Sequence, residues 1–394
     1  MSERRLEVAD VFRQHKQEFL KRWGHTVSAH QLRAFRDICA CRTAALGAHI
    51  EQCDGCSRQI IAYDSCRNRH CPKCQSTARD KWLAARAAEL LPVPYCHVVF
   101  TLPQELSVPA RQNPRVIYGI LFRAVSETLL TIAADPRRLG AHIGFLAVLH
   151  TWNQKMLHHP HLHCVVPAGG LSLDRSRWIP CRRRFFLPVD VLGRMFRGKF
   201  LAYLGAAFRK RKLHWSGSLA HLRSPAEFDR LFRRLRSIKW VVYAKRPFGG
   251  PEYVIQYLAR YTHRVAISNG RLIEMRQGQV TFRWRDSADD NQQKLMTLDA
   301  IEFIRRYLMH VLPSGFVKIR HFGSMANRNR RATLRVCRSL LSAPTQIPTL
   351  LTDRQRRAVE RKCPFCKSGT LHIVGRIPAG ESISVTSVPG EDTS

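Results

Sequence analysis

The sequence predicts an α+β fold, with a central antiparallel sheet flanked by helices and preceded by a helical, zinc-ribbon region. Three observations carry this. The apolar runs AHIGFLAVLHTWNQ and HLHCVV are joined by the polar stretch KMLHHP, as in a hairpin. Two Cys-x-x-Cys pairs lie close together near the N-terminus, the mark of a zinc ribbon. Along the rest of the chain, runs with apolar residues at every second position alternate with runs at three- and four-residue spacing, so strands alternate with helices.

The predicted organisation is residues 1–91 as a helical and zinc-binding domain, 92–345 as a catalytic domain, and 346–394 as a C-terminal extension. Val8, Val11 and Phe12, then Leu32, Phe35 and Ile38, recur at helical spacing. Cys53, Cys56, Cys71 and Cys74 have the spacing of a tetrahedral Cys₄ site, with a short strand over residues 58–62 between the pairs. Cys41, His49, Cys66 and His70 interleave with them and could hold a second zinc, or Cys66 and His70 could exchange roles with members of the first set. One or two structural zinc ions are therefore expected. Residues 76–91 read as a helix leading away from this module, and Pro92 and Pro94 mark its end.

Residues 94–103 read as a strand and residues 104–133 as mostly helical. In the next strand, alternation places His161, His163 and Val165 on one face and Leu162, Cys164 and Val166 on the other. Two imidazoles on one face can hold a metal, with Gln154 as third ligand or His150 in its place. Such a site suits Mg²⁺ or Mn²⁺ held with water and phosphate. Residues 175–212 carry twelve Arg or Lys against one Asp, interleaved with Trp178, Phe185, Phe186, Phe196, Phe200 and Phe208. That pattern suits a groove that tracks phosphates and stacks bases.

After a strand at residues 239–248, Pro251 and Glu252 open a helix whose Tyr253, Tyr257 and Tyr261 fall in one arc, bordered by Arg260 and Arg264. Asn-Gly and Gln-Gly turns punctuate a meander over residues 264–286, followed by an amphipathic helix at 298–312. Cys363-Pro-Phe-Cys366 has no second pair downstream, and the residues from about 377 onward read as disordered.

Charge narrows the partner. Sixty-five basic against 29 acidic residues give a formal charge of +36 and a pI near 10.7, which points to a polyanion. No run of about 20 apolar residues predicts a membrane span, and MSERRLEVAD lacks a signal-peptide core, so a cytoplasmic, nucleoid-associated protein is expected. Clustered Cys-x-x-Cys pairs in a reducing compartment favour metal over disulfides.

The motifs HTWNQ…HPHLHCVVPAGGL, YLARYTHRVAISNGRL and FIRRYLMHVLPSGFVKIRHFG resemble the rolling-circle transposases of the insertion-sequence ninety-one family, which belong to the HUH nucleases. The resemblance spans residues 10–345. It implies an HUH nuclease core, His161 and His163 as ligands of a catalytic Mg²⁺ or Mn²⁺, and Tyr257 and Tyr261 as paired nucleophiles, with Arg260 and Arg264 nearby. Spacing alone also permits Tyr253 with Tyr257. The implied activity is cleavage and rejoining of single-stranded DNA at element ends and target through 5′-phosphotyrosine intermediates. The competing expectations are a plasmid replication initiator or relaxase with the same chemistry, and a non-catalytic zinc-dependent nucleic-acid-binding protein.

Overall fold

A computed structural model describes residues 5–182, 187–248, 254, 265–286, 288–342 and 361–381. Its strands, in chain order, are β1 (Ala48–Cys53), β2 (Gln59–Tyr63), β3 (Tyr95–Thr101), β4 (Ala141–His142), β5 (Gly144–Trp152), β6 (His158–Pro167), β7 (Gly169–Ser172), β8 (Trp178–Pro180), β9 (Val242–Phe248), β10 (Leu272–Arg276), β11 (Gln279–Asp286), β12 (Gln292–Asp299), β13 (Ile319–Gly323) and β14 (Leu371–Ile377).

The central sheet is five-stranded and antiparallel, in the order β13-β5-β6-β3-β9. Its two faces have opposite chemistry because β3, β5 and β6 alternate in register. Cys96, Val98, Phe100, Ala147, Leu149, Leu162, Cys164 and Val166 point to one face and form the main core with the helices Pro114–Ala134 and Val189–Arg209. Burying each large side chain there contributes about 1.5–3 kcal/mol. The other face carries Val148, Val165 and a row of histidines. The helix Pro114–Ala134 has the length and apolar character of a membrane span, yet most of it is buried in this core.

Periodicity explains one departure from the sequence reading. Phe196 and Phe200, one helical turn apart, are fully buried in the main core, and Phe208 stacks on Phe228 at 3.8 Å between ring centroids. Trp178 packs against the histidine-face core. These rings of the 175–212 run are therefore structural and do not line a groove; Phe185 and Phe186 lie outside the described residues.

A second core joins regions that the sequence reading assigned to separate domains. Phe12 stacks on Phe35 at 5.0 Å and meets Tyr307 edge-on at 5.3 Å, so the N-terminal helices share a core with Val280, Phe282 and the helix Ala300–Leu308. That helix is capped by Asp299, whose carboxylate accepts from the N–H groups of Ile301 and Glu302. Strand β14 pairs antiparallel with β1, from Ala48↔Ile377 to Cys53↔Leu371, and completes the sheet β14-β1-β2. Residues 361–381 thus belong structurally to the zinc ribbon, because β1 has an edge that β2 alone leaves open.

Candidate active site and metal clusters

The hairpin β5–β6 builds the site. Its register sets His150 directly opposite His161, and Val148 opposite His163, so all three imidazoles project from one face. Ring centroids lie 4.4 Å apart for His150–His163, 4.8 Å for His161–His163 and 5.5 Å for His150–His161. Ring nitrogens of the three fall within 4.8 Å of one another. That is near the span one ion bridges with bonds of about 2.1 Å.

Neighbouring groups orient two of these rings. His161 Nδ1 lies 2.6 Å from the His159 carbonyl oxygen, which can only accept, so Nδ1 carries the proton and Nε2 keeps its lone pair. His163 Nδ1 shares a 2.9 Å hydrogen bond with Nε2 of His97, whose ring stacks parallel to it at 5.1 Å. Burial pushes His161 down to about 4, and burial together with His150, His161 and His97 holds His163 well below the usual histidine range. Both are neutral near pH 7, the form that binds metals.

The histidines open into a cleft of about 770 Å³ between the β5–β6 turn and strand β11. Lys155, Arg271 and Arg285 supply charge there, and Trp152, Tyr243 and Trp284 supply rings, with Lys155 Nζ 4.2 Å above the Trp284 ring. Gln154 lines the cleft on the turn, where its carbonyl accepts from Arg271 at 2.7 Å. Direct cross-strand pairing makes His150 the third imidazole beside the pair, while Gln154 lies on the turn beyond the end of β5 and lines the same cleft. Tyr253, Tyr257, Tyr261, Arg260 and Arg264 lie outside the described residues. Val254, beside Tyr253 in sequence, is fully buried in the histidine-face core with Leu146 and Val165.

Comparison with known proteins shows the family. A transposase family model matches residues 144–332, and a transposase zinc-binding domain model matches residues 11–102. A protein of Sinorhizobium fredii, provisionally named transposase y4qJ, is 52% identical over 93% of this chain and 94% of its own length. The chain belongs to the insertion-sequence ninety-one family of transposases. The transposase for insertion sequence element IS801 of Pseudomonas savastanoi pv. phaseolicola is 28% identical over 78% of this chain and 74% of its own. No solved structure matches the chain.

In this transposase the zinc-binding cysteines are grouped differently from the spacing-based expectation. Cys53, Cys56, Cys71 and Cys74 do not meet as one set. Cys71 and Cys74, at the start of the helix Pro72–Ala87, join Cys41 and Cys66, with Sγ separations of 3.5 Å for Cys41–Cys74 and 3.6 Å for Cys66–Cys74. A tetrahedral zinc with bonds of about 2.3 Å sets its sulfurs about 3.8 Å apart, so this set fits zinc. Cys53 and Cys56 turn instead toward Cys363 and Cys366. His49 and His70 belong to neither set. His49 lies between Glu51 and Asp64, at 3.1 and 3.2 Å. His70 Nε2 accepts from the Leu312 N–H, and burial pushes the ring down to about 3.

Proposed function

We propose that this transposase cleaves and rejoins single-stranded DNA through 5′-phosphotyrosine intermediates, in rolling-circle transposition of its element, with the five-stranded sheet as an HUH nuclease core. The observation that carries the reading is the three-imidazole cluster on an antiparallel sheet, opening into a cleft of cations and aromatic rings. His150, His161 and His163 would hold a divalent ion. Three nitrogen donors suit Mn²⁺ better than Mg²⁺, which prefers oxygen. What such an ion supplies when bound is neutralisation of charge on the scissile phosphate.

The chain's own residues do the rest. Lys155, Arg271 and Arg285 bind phosphates along the cleft, and the exposed ring of Tyr243 offers a face for an unpaired base. Tyr257 and Tyr261 are the nucleophiles, a role carried over from the family motif. Tyrosine oxygen attacks phosphorus, the P–O3′ bond breaks, the tyrosine proton is lost and the departing 3′ oxygen gains one. A phosphotyrosine keeps the bond energy for rejoining without ATP. Arg260 and Arg264 offset charge on the phosphate. Cys41, Cys66, Cys71 and Cys74 hold one structural zinc, and the N-terminal module contacts the element ends. A replication initiator, a relaxase or a non-catalytic binding protein has no counterpart among these relatives, which are named as transposases.

The test is a denaturing gel with labelled single-stranded element ends and Mn²⁺. A covalent protein–DNA adduct is expected from the wild type, lost in Tyr257→Phe/Tyr261→Phe and in His163→Ala while DNA binding persists. An undiminished adduct in the double tyrosine variant overturns the nucleophile assignment.

A further inference from the structure

The Cys-x-x-Cys pair at Cys363 and Cys366, isolated in the sequence, faces Cys53 and Cys56 across the sheet β14-β1-β2. The Sγ atoms of Cys53 and Cys366 are 3.6 Å apart, and those of Cys56 and Cys363 are 3.7 Å apart, although the partners are 313 and 307 residues distant in the chain. All four sulfurs lie within 4.8 Å of one another. A disulfide needs about 2.05 Å. The observed separations match the roughly 3.8 Å edge of a tetrahedron of thiolates around zinc.

The backbone supports the same conclusion independently, because the two segments repeat one turn. Ser57 N–H donates to the Cys53 carbonyl at 2.9 Å, and Lys367 N–H donates to the Cys363 carbonyl at 3.0 Å. Ser57 and Lys367, each directly after a second cysteine, are both left-handed, with φ of 57° and 60°. Amides also point at sulfur in both turns: Gly55 N–H at Cys53 Sγ and Gly369 N–H at Cys366 Sγ, each at 3.3 Å. Amide donors of this kind stabilise thiolates. The turns are cross-linked by Asp54, whose carboxylate accepts from the Thr370 N–H at 2.7 Å and whose own N–H donates to the Thr370 carbonyl at 3.1 Å. Gly369 is required by close approach, since a Cβ there would stand 2.4 Å from Cys53 Sγ.

We propose that Cys53, Cys56, Cys363 and Cys366 bind a second structural zinc ion, separate from the one at Cys41, Cys66, Cys71 and Cys74, which clasps β14 to the zinc ribbon. Four thiolates with no open position suit a structural zinc site. The choice of zinc rests on the family's zinc-binding domain, whose matched residues 11–102 include only half of this set.

Elemental analysis of the full-length protein purified without chelator tests it. Two zinc ions per chain are expected, falling to one in Cys363→Ser/Cys366→Ser and to one in Cys66→Ser. One zinc in the wild type, unchanged by Cys363→Ser/Cys366→Ser, overturns the clasp and leaves the first site standing. No zinc in the wild type overturns both sites. Alkylation of the wild type, read by mass spectrometry, stays decisive if a variant fails to fold. Cys363 and Cys366 should be protected together with Cys53 and Cys56, and a chelator should expose all four in concert. Rapid labelling of Cys363 and Cys366 while Cys53 and Cys56 stay protected overturns the proposal, as does a Cys53–Cys366 disulfide in protein purified anaerobically, or iron in place of the second zinc.

Discussion

At the scale of single residues, the site depends on imidazoles kept neutral by burial. His310 shows how. Its Nε2–H donates to the Met156 carbonyl at 3.0 Å and its Nδ1 accepts from the Thr151 hydroxyl at 3.1 Å, so both ring nitrogens are satisfied only in the neutral form. Burial, the largest cause, pushes its pKa down to about 4. His158 is held low in the same way, with Ser107 at Nδ1 and Tyr118 at Nε2. Because the unfolded ring takes its proton near 6.5, the stabilisation from these residues is fully present above that pH and is lost as pH falls toward 4. Urea midpoints measured between pH 7 and 4.5 should therefore decline, and decline less steeply in His310→Gln. Parallel curves for the variant and the wild type would remove this assignment. The comparison matters because thiolate protonation at the zinc sites adds its own pH dependence to both proteins.

At the scale of elements, the β5–β6 turn is held from three directions. Asn153 Oδ1 accepts from the N–H groups of Lys155 and Leu157 at 3.0 and 2.9 Å, Arg306 donates to the Lys155 carbonyl at 3.1 Å, and Arg271 holds the Gln154 carbonyl. Met156, buried in the second core with a left-handed φ of 58°, is the strained residue this bracing holds in place. Asn153→Ala removes two acceptor contacts and should cost about 1–2 kcal/mol in urea unfolding, with weaker cleavage because Lys155 loses its position. Unchanged stability and unchanged cleavage would show that the turn is held without the Asn153 side chain. Much of this element was legible beforehand: the hairpin, the shared face of His161 and His163, and His150 as an alternative third ligand all follow from two-residue alternation. Register was not legible, and register is what sets His150 directly opposite His161. The aromatic run at 175–212 was misread for a related reason, since its helical spacing allowed a core face as readily as a groove.

At the scale of the whole molecule, the regrouped cysteines show where sequence reading stops. Local spacing ties Cys53–Cys56 to Cys71–Cys74, but long-range pairing of β1 with β14 brings in a segment more than 300 residues away, and no periodicity reports such convergence. Charge, by contrast, was legible from composition, and it leads to the last expectation. On the proposed single-stranded substrate, a chain of +36 should bind chiefly by displacing counterions, so affinity should fall steeply between 50 and 200 mM salt. Most of those cations lie outside the cleft and act on any polyanion. Lys155 and Arg285 differ, because they face the same cleft as the histidine cluster. If each meets one phosphate, Lys155→Ala and Arg285→Ala should each lower the slope of log affinity against log salt by about 0.7, and the double variant by about twice that. His163→Ala should leave the slope unchanged, since a neutral imidazole displaces no counterion. Fluorescence anisotropy with a labelled single strand over that salt range reads both quantities. If the Lys155→Ala/Arg285→Ala slope matches the wild type while His163→Ala still abolishes cleavage, the strand enters the site by another path, and the cleft does not carry its backbone.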